Sequence, residues 1–201
     1  MPMSERCSRF AESRDKALEL FASKGFAQVG MRELATHLGL TPGSLYHHYP
    51  SKQHLLADLI EEFYDELLAT LARIARRRSA PPDKLHTLIH AHLKLHRDMP
   101  WHYRLVERDS SCLNEDQQVR VQQLQRRYEQ TLMNLLCPVV PTSPAAGHAI
   151  ASLLNCAPSW LVQQPLDAKE RDRLLESLLT GAIERVLGQA PGLSVVQANV
   201  A

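Results

Sequence analysis

Residues 31–52 read MRELATHLGLTPGSLYHHYPSK. Their reading decides the fold, because the stretch sends two signals. Pro42, Gly43 and Pro50 argue for loop, while Leu34, Ala35 and Leu38 keep the 3–4 spacing of one helix face. The conflict resolves if the prolines start helices. Thr41 can cap a helix, and Pro42 at its first position already has a helical φ. Gly39 can take the left-handed conformation that reverses the chain. Ala35 is small enough for two helices to cross closely, and Leu45 packs back into the crossing, with Leu40 covering the turn. Two short helices crossing steeply through such a turn make a helix-turn-helix, whose second helix enters the DNA major groove by its N-terminal end. Taken alone, Ala35, Gly39 and Leu45 also suit a plain helical hairpin.

On the helix-turn-helix reading the residues turned toward DNA are Thr41, Pro42, Gly43, Ser44, Tyr46 and His47. Small residues at 43 and 44 let the helix start press against the groove. Thr41 and Ser44 can hydrogen-bond bases or phosphates, Pro42 can touch a thymine methyl, and Tyr46 and His47 can reach phosphates. Lys52 and Arg32, each at a helix start, combine charge with free backbone amides and suit a phosphate. His48 is expected to pack beneath the helix.

Outward from this stretch, helical periodicity continues and no alternating strand pattern of useful length interrupts it. A first helix is expected over about 9–24 and a second over 31–38. A third begins at Thr41, and a fourth follows YPSK with Ser51 as its N-cap and runs to about residue 78. RRRSAPPDK at 76–84 is the clearest break. Further helices are expected near 84–98, 115–137, 144–163 and 167–189, with an irregular stretch at 99–113 and a frayed end at 190–201.

Bulk composition sets limits. The chain has 201 residues, 44% of them hydrophobic, enough for one large domain or two small ones. The formal net charge is only +1, so any polyanion site is local. The polar N-terminus lacks an apolar signal region, and Ala149 to Val162 is too short to span a bilayer. Four dispersed cysteines without a CxxC pair fit reduced thiols in a cytoplasmic protein that needs no cofactor.

In the C-terminal half, helix 144–163 presents Ile150, Leu153, Leu154, Ala157 and Leu161. Helix 167–189 presents Leu175, Leu178, Leu179, Ala182, Ile183 and Val186. This stripe is broad for a helix covering a small domain and suits a two-fold, four-helix contact; intrachain core is the competing reading. Helix 84–98 carries His86, His90, His92 and His96. Only His92 and His96 share a face with Leu85, Leu88 and Ile89. Without a carboxylate or cysteine partner in sequence they read as lining for an effector pocket or as hydrogen-bonded core groups rather than as a metal site. Trp101, Tyr103, Arg104, Leu124, Tyr128 and Leu132 complete the candidate pocket for a largely apolar ligand, and the same residues also suit a plain core. The chain lacks a nucleophile elbow, a P-loop and a GxGxxG, which leaves a metal-dependent enzyme using the histidine-rich helix as a remote alternative.

ALELFASKGF (17–26), MRELATHLGL (31–40), TPGSLYHHYPSK (41–52) and HLL (54–56) together resemble the N-terminal domain of the TetR/AcrR family of transcriptional regulators. One departure is Gly30, where the family often has a capping Thr or Ser. The resemblance implies an all-α fold, with a three-helix DNA-binding domain over 1–52 and a six-helix effector-binding and dimerisation domain over 53–201. It implies a homodimer on double-stranded operator DNA, most often a repressor, which a small-molecule effector releases by moving the two heads apart. Residues 85–137 loosely resemble a subgroup linked to fatty-acid, acyl-CoA or related lipid degradation. A drug-like cation is the alternative effector, with Glu107, Asp109 and Glu129 as its acids.

Overall fold

A computed structural model describes residues 3–77, 81–137 and 143–188, with side chains described from residue 12 onward except Pro81 and Pro82. The expected frayed end at 190–201 and the Cys7 side chain lie outside that description. The described residues form helices and no strands: α1 (Met3–Lys24), α2 (Met31–His37), α3 (Pro42–His48), α4 (Lys52–Ala75), α5 (Pro81–Asp98), α6 (Pro100–Asp109), α7 (Glu115–Leu136), α8 (Pro144–Trp160) and α9 (Ala168–Gly188). Short 3₁₀ turns occupy Phe26–Gln28 and Ser110–Cys112.

Two of these elements depart from the sequence reading. The first helix begins at Met3 rather than near residue 9. The stretch 99–113, expected to be irregular, is α6 followed by a 3₁₀ turn. Pro100 sits at the first turn of α6, where proline starts a helix. His102, Tyr103, Leu105 and Asp109 are the buried positions. Set among arginines and acids, so short an inward face leaves little periodicity to detect.

The chain divides into two compact units, one comprising residues up to Asp65 with Met99–Leu124, the other Glu66–Asp98 with residues from Gln125 onward. The first unit is built on α1, α2, α3, the start of α4 and α6. Phe21, Leu34, Ala35, Leu45, Leu56, Ile60 and Phe63 are at most 1% exposed. Removing each large side chain from water contributes roughly 1.5–3 kcal/mol. Phe21 meets Phe26 edge-on with centroids 5.2 Å apart, and Phe63 meets Tyr103 in the same way at 4.7 Å. Arg108 of α6 closes the end of α1. Its Nη2 donates to the Phe21 carbonyl at 2.6 Å and its Nη1 to that of Ala22 at 3.1 Å, while buried Asp109 holds the guanidinium. The last carbonyls of a helix lack intrahelical partners, and a cation is favoured there.

In the second unit Leu88, Ile89, Tyr128, Leu132, Ile150, Leu154, Leu179 and Ile183 are fully buried. α8 approaches α7 closely at Gly147: a Cβ there would lie 3.1 Å from Met133 Cγ, so only a glycine fits without displacing that side chain. No helix among the described residues is long and apolar enough to cross a membrane.

Candidate nucleic-acid interface

The turn between α2 and α3 follows from its residues. Leu34 and Ala35 have no exposed surface and Leu45 has 1%, so the crossing is filled as their sizes dictate. Gly39 has φ +68°, and the backbone closes α2 with Leu40 N donating to Ala35 O and Gly39 N to Thr36 O. This is the paired-bond glycine stop of a helix C-terminus. Thr41 then caps α3: its Oγ1 accepts from Ser44 N at 3.1 Å, and Pro42 occupies the first turn.

These bonds leave the leading end of α3 uncovered. Thr41, Pro42 and Gly43 are exposed, Ser44 is half-buried, and Tyr46 is 52% exposed beside exposed His47. Arg32 is also exposed, on the first turn of α2. Gly30 is the N-cap of that helix and supplies no side-chain cap. Of the eight sequence-derived contact residues, six are exposed on the head and Ser44 is half-buried.

Lys52 is the exception. Its ammonium donates to the carbonyls of Phe26 and Val29, each at 2.8 Å, and lies 4.3 Å from the centre of the Phe26 ring. The side chain is a brace from the start of α4 to the turn before α2, and a phosphate would compete with two charge-assisted bonds. His48 also differs from expectation. It is exposed, its ring edge-on to His47 at 5.6 Å, because the inward position after Leu45 falls one residue later, on Tyr49. Tyr49 is 7% exposed and its hydroxyl titrates above the ordinary range through burial. Its spacing of four from Leu45 was the signal for that role.

The candidate pocket residues are divided between the two units. Trp101, Tyr103, Arg104 and Leu124 belong to the first unit; His92, His96, Tyr128 and Leu132 belong to the second. Trp101 and Arg104 are exposed, and Tyr103 is packed on Phe63. His96 and Leu124 are half-buried. His92, Tyr128 and Leu132 have no exposed surface. The Leu88 carbonyl accepts from His92 Nδ1 at 2.9 Å, which makes Nε2 the acceptor, and Tyr128 Oη donates to it at 2.7 Å. Burial lowers the His92 pKa from 6.5 to about 4. Among the described residues no three His, Cys, Asp or Glu side chains are grouped to hold a metal ion.

The dimer stripe is divided in the same manner. Ile150, Ala157, Leu175, Leu179 and Ile183 are at most 3% exposed within the single chain and are corrected to intrachain core. The inward spacing 175, 179, 183 leaves Leu174 and Leu178 outside, at 48% and 41% exposed. Leu153, Leu161, Ala182 and Val186 are half-buried.

Comparison with known proteins agrees with this head. The family model "Bacterial regulatory proteins, tetR family" matches residues 14–59. The HTH-type transcriptional repressor KstR2 of Mycolicibacterium smegmatis is 32% identical over 82 residues, covering 41% of this chain and 40% of that one. The chain thus aligns with about two-fifths of that relative's length. AibR in complex with isovaleryl coenzyme A and operator DNA superposes with a TM-score of 0.72 at 16% identity, covering 87% of this chain and 97% of that one. The ketosteroid regulator KstR2 of Mycobacterium tuberculosis gives 0.69 at 18%, covering 87% and 93%. These likenesses extend the shared helical fold beyond the head. The capped α3 and its glycine stop thus lie within the stretch, residues 14–59, that is similar to the tetR family of bacterial regulatory proteins.

Proposed function

We propose that the protein is a homodimeric repressor that reads a palindromic operator with α3 and leaves it when a small effector binds. The observation that carries this reading is the bare leading edge of α3, where Thr41, Pro42 and Gly43 are exposed ahead of buried Leu45. Arg32, Ser44, Tyr46 and His47 supply the surrounding contacts. Lys52 contributes its free helix-start amide and holds the head in shape. Half-sites about one helical turn apart, or slightly more, suit a two-fold dimer. A mobility shift on the native promoter region tests the reading, and absence of sequence-preferring binding at about 0.1 M salt overturns it.

Dimerisation would use the outward residues of α8 and α9: Leu153, Leu161, Leu174, Leu178, Ala182 and Val186, beside Trp160 at 54% exposed. Exposed large apolar side chains along two neighbouring helices favour a two-fold contact. Sedimentation of a Leu178→Glu variant as a monomer, against a wild-type dimer, checks this.

For the effector, a largely apolar molecule such as a fatty acyl-CoA or a related lipid metabolite is favoured over a drug-like cation. The fold neighbour AibR was solved with isovaleryl coenzyme A. The three acids a cation would need are otherwise placed: Glu107 is exposed, Asp109 holds Arg108, and His148 and Gln125 hold Glu129. Thermal-shift screening of acyl-CoAs against cationic drugs separates the two classes, since a ligand preferring the native state raises the melting temperature.

A further inference from the structure

The effector reading leaves one cavity unused. In the second unit an open groove of about 550 Å³ lies between the C-terminal half of α4 and α5, within the size range of small-molecule sites. Five residues join the two helices, so they run antiparallel, with Arg77 and Thr87 toward the connection and Glu66 and Asp98 at the other end. Arg73 and Arg77 are spaced by four on one wall, as are His90 and Lys94 on the other. Two rows of nitrogen donors thus face each other. Thr70, Ile74 and Leu95, at most 8% exposed, make the floor.

The carboxylates near these cations do not cancel the site. Glu66 accepts from Arg73 Nη2 at 2.6 Å, and Thr70 Oγ1 accepts from the same nitrogen, so the guanidinium is oriented with other N–H groups still available. Lys94 pairs with Asp98, four residues along. Glu176 of α9 stands 3.0 Å from His90 Nε2. Among the described residues Arg77 has neither hydrogen bond nor ion pair for its guanidinium, and it sits at the end away from Glu66 and Asp98. Guanidinium forks bind phosphate in bidentate fashion, and a cleft concentrates the field of its rim charges.

We propose that this groove is a binding site for a phosphate-bearing small molecule. The phosphate lies at the Arg73–Arg77 end with Lys94 and His90 opposite, and the rest of the ligand rests on the floor. The site is separate from the residues proposed to meet DNA, and it stands or falls independently of operator binding.

The test is calorimetric titration of the full chain with sodium pyrophosphate at low salt, on wild type and on Arg77→Glu, Arg77→Lys and Arg32→Gln variants. Both positions carry exposed side chains, and circular dichroism melts verify the folds. The expected result is binding that Arg77→Glu weakens about tenfold while Arg77→Lys retains most of it, a charge effect of about 1.4 kcal/mol. Arg32→Gln, which alters the head, leaves binding unchanged. No binding by wild type, equal binding by Arg77→Glu, or loss in Arg32→Gln overturns the proposal. A mobility shift with Arg77→Glu separates this result from the repressor reading, because operator binding is expected to persist.

Discussion

α3 and α5 both carry neighbouring histidines, and the structure gives the two sets opposite environments. His47 and His48 stand in solvent at the end of α3, whereas His92 in the middle of α5 has no exposed surface and both ring nitrogens engaged. Residue type does not separate them; register against the core does. His92 continues the inward spacing of Leu85, Leu88 and Ile89, while His47 and His48 fall between the inward positions Leu45 and Tyr49. A histidine on the inward face must find partners for both nitrogens or raise the cost of folding. One between inward positions stays at the surface.

The contrast can be broken experimentally. The largest effects should come from the buried sides of the two helices. Leu45→Ala removes the side chain that seats α3 and should cost about 3 kcal/mol in urea denaturation. On α5 the effect depends on pH. His92 is held neutral, with its folded pKa near 4 below the unfolded 6.5. The unfolded chain therefore binds the extra proton between those values. This contribution is complete above pH 6.5 and is lost as pH falls toward about 4, by about 3 kcal/mol in all. Urea titrations across that window should show a steeper decline for wild type than for His92→Gln; equal slopes would remove His92 as the cause. Lys52→Ala deletes two charge-assisted bonds to carbonyls and should cost about 2 kcal/mol, read as a lowered denaturation midpoint. The smallest change in stability belongs to the exposed side of α3. Tyr46→Ala should alter unfolding by no more than about 0.5 kcal/mol while weakening operator binding about tenfold. If the operator affinity of Tyr46→Ala matched wild type, the phosphate role of that tyrosine would be wrong.

The same contrast explains what the sequence made legible. The head could be read residue by residue because its signals are local: a glycine stop, a threonine cap and a proline start lie within four residues, and the buried Leu45 follows at once. α6 escaped because its buried face holds only four residues, one of them the acid Asp109, and is surrounded by charge. The broad stripe of α9 was visible, yet its division was not. Leu175 and Leu178 look alike in sequence, and only the neighbouring helices decide that the first is core at 3% exposed and the second is surface at 41%. Arg108 and the α4–α5 groove were hidden for a related reason. The groove unites residues up to 32 positions apart, Glu66 to Asp98, and the Arg108 clasp reaches back to Phe21, whereas spacing rules report only on single helices.

The cap at Thr41 has a thermodynamic corollary. With Ser44 N bound by its hydroxyl, Pro42 fixing the first φ and Gly39 already in its left-handed bend, the turn proposed to meet DNA is held by its own bonds. Association then carries no local folding cost in α3, and its heat-capacity change should report only the surface removed from water. Calorimetry of operator binding at several temperatures would accordingly give the modest slope of a rigid dock, not the steep one of a segment that folds on contact.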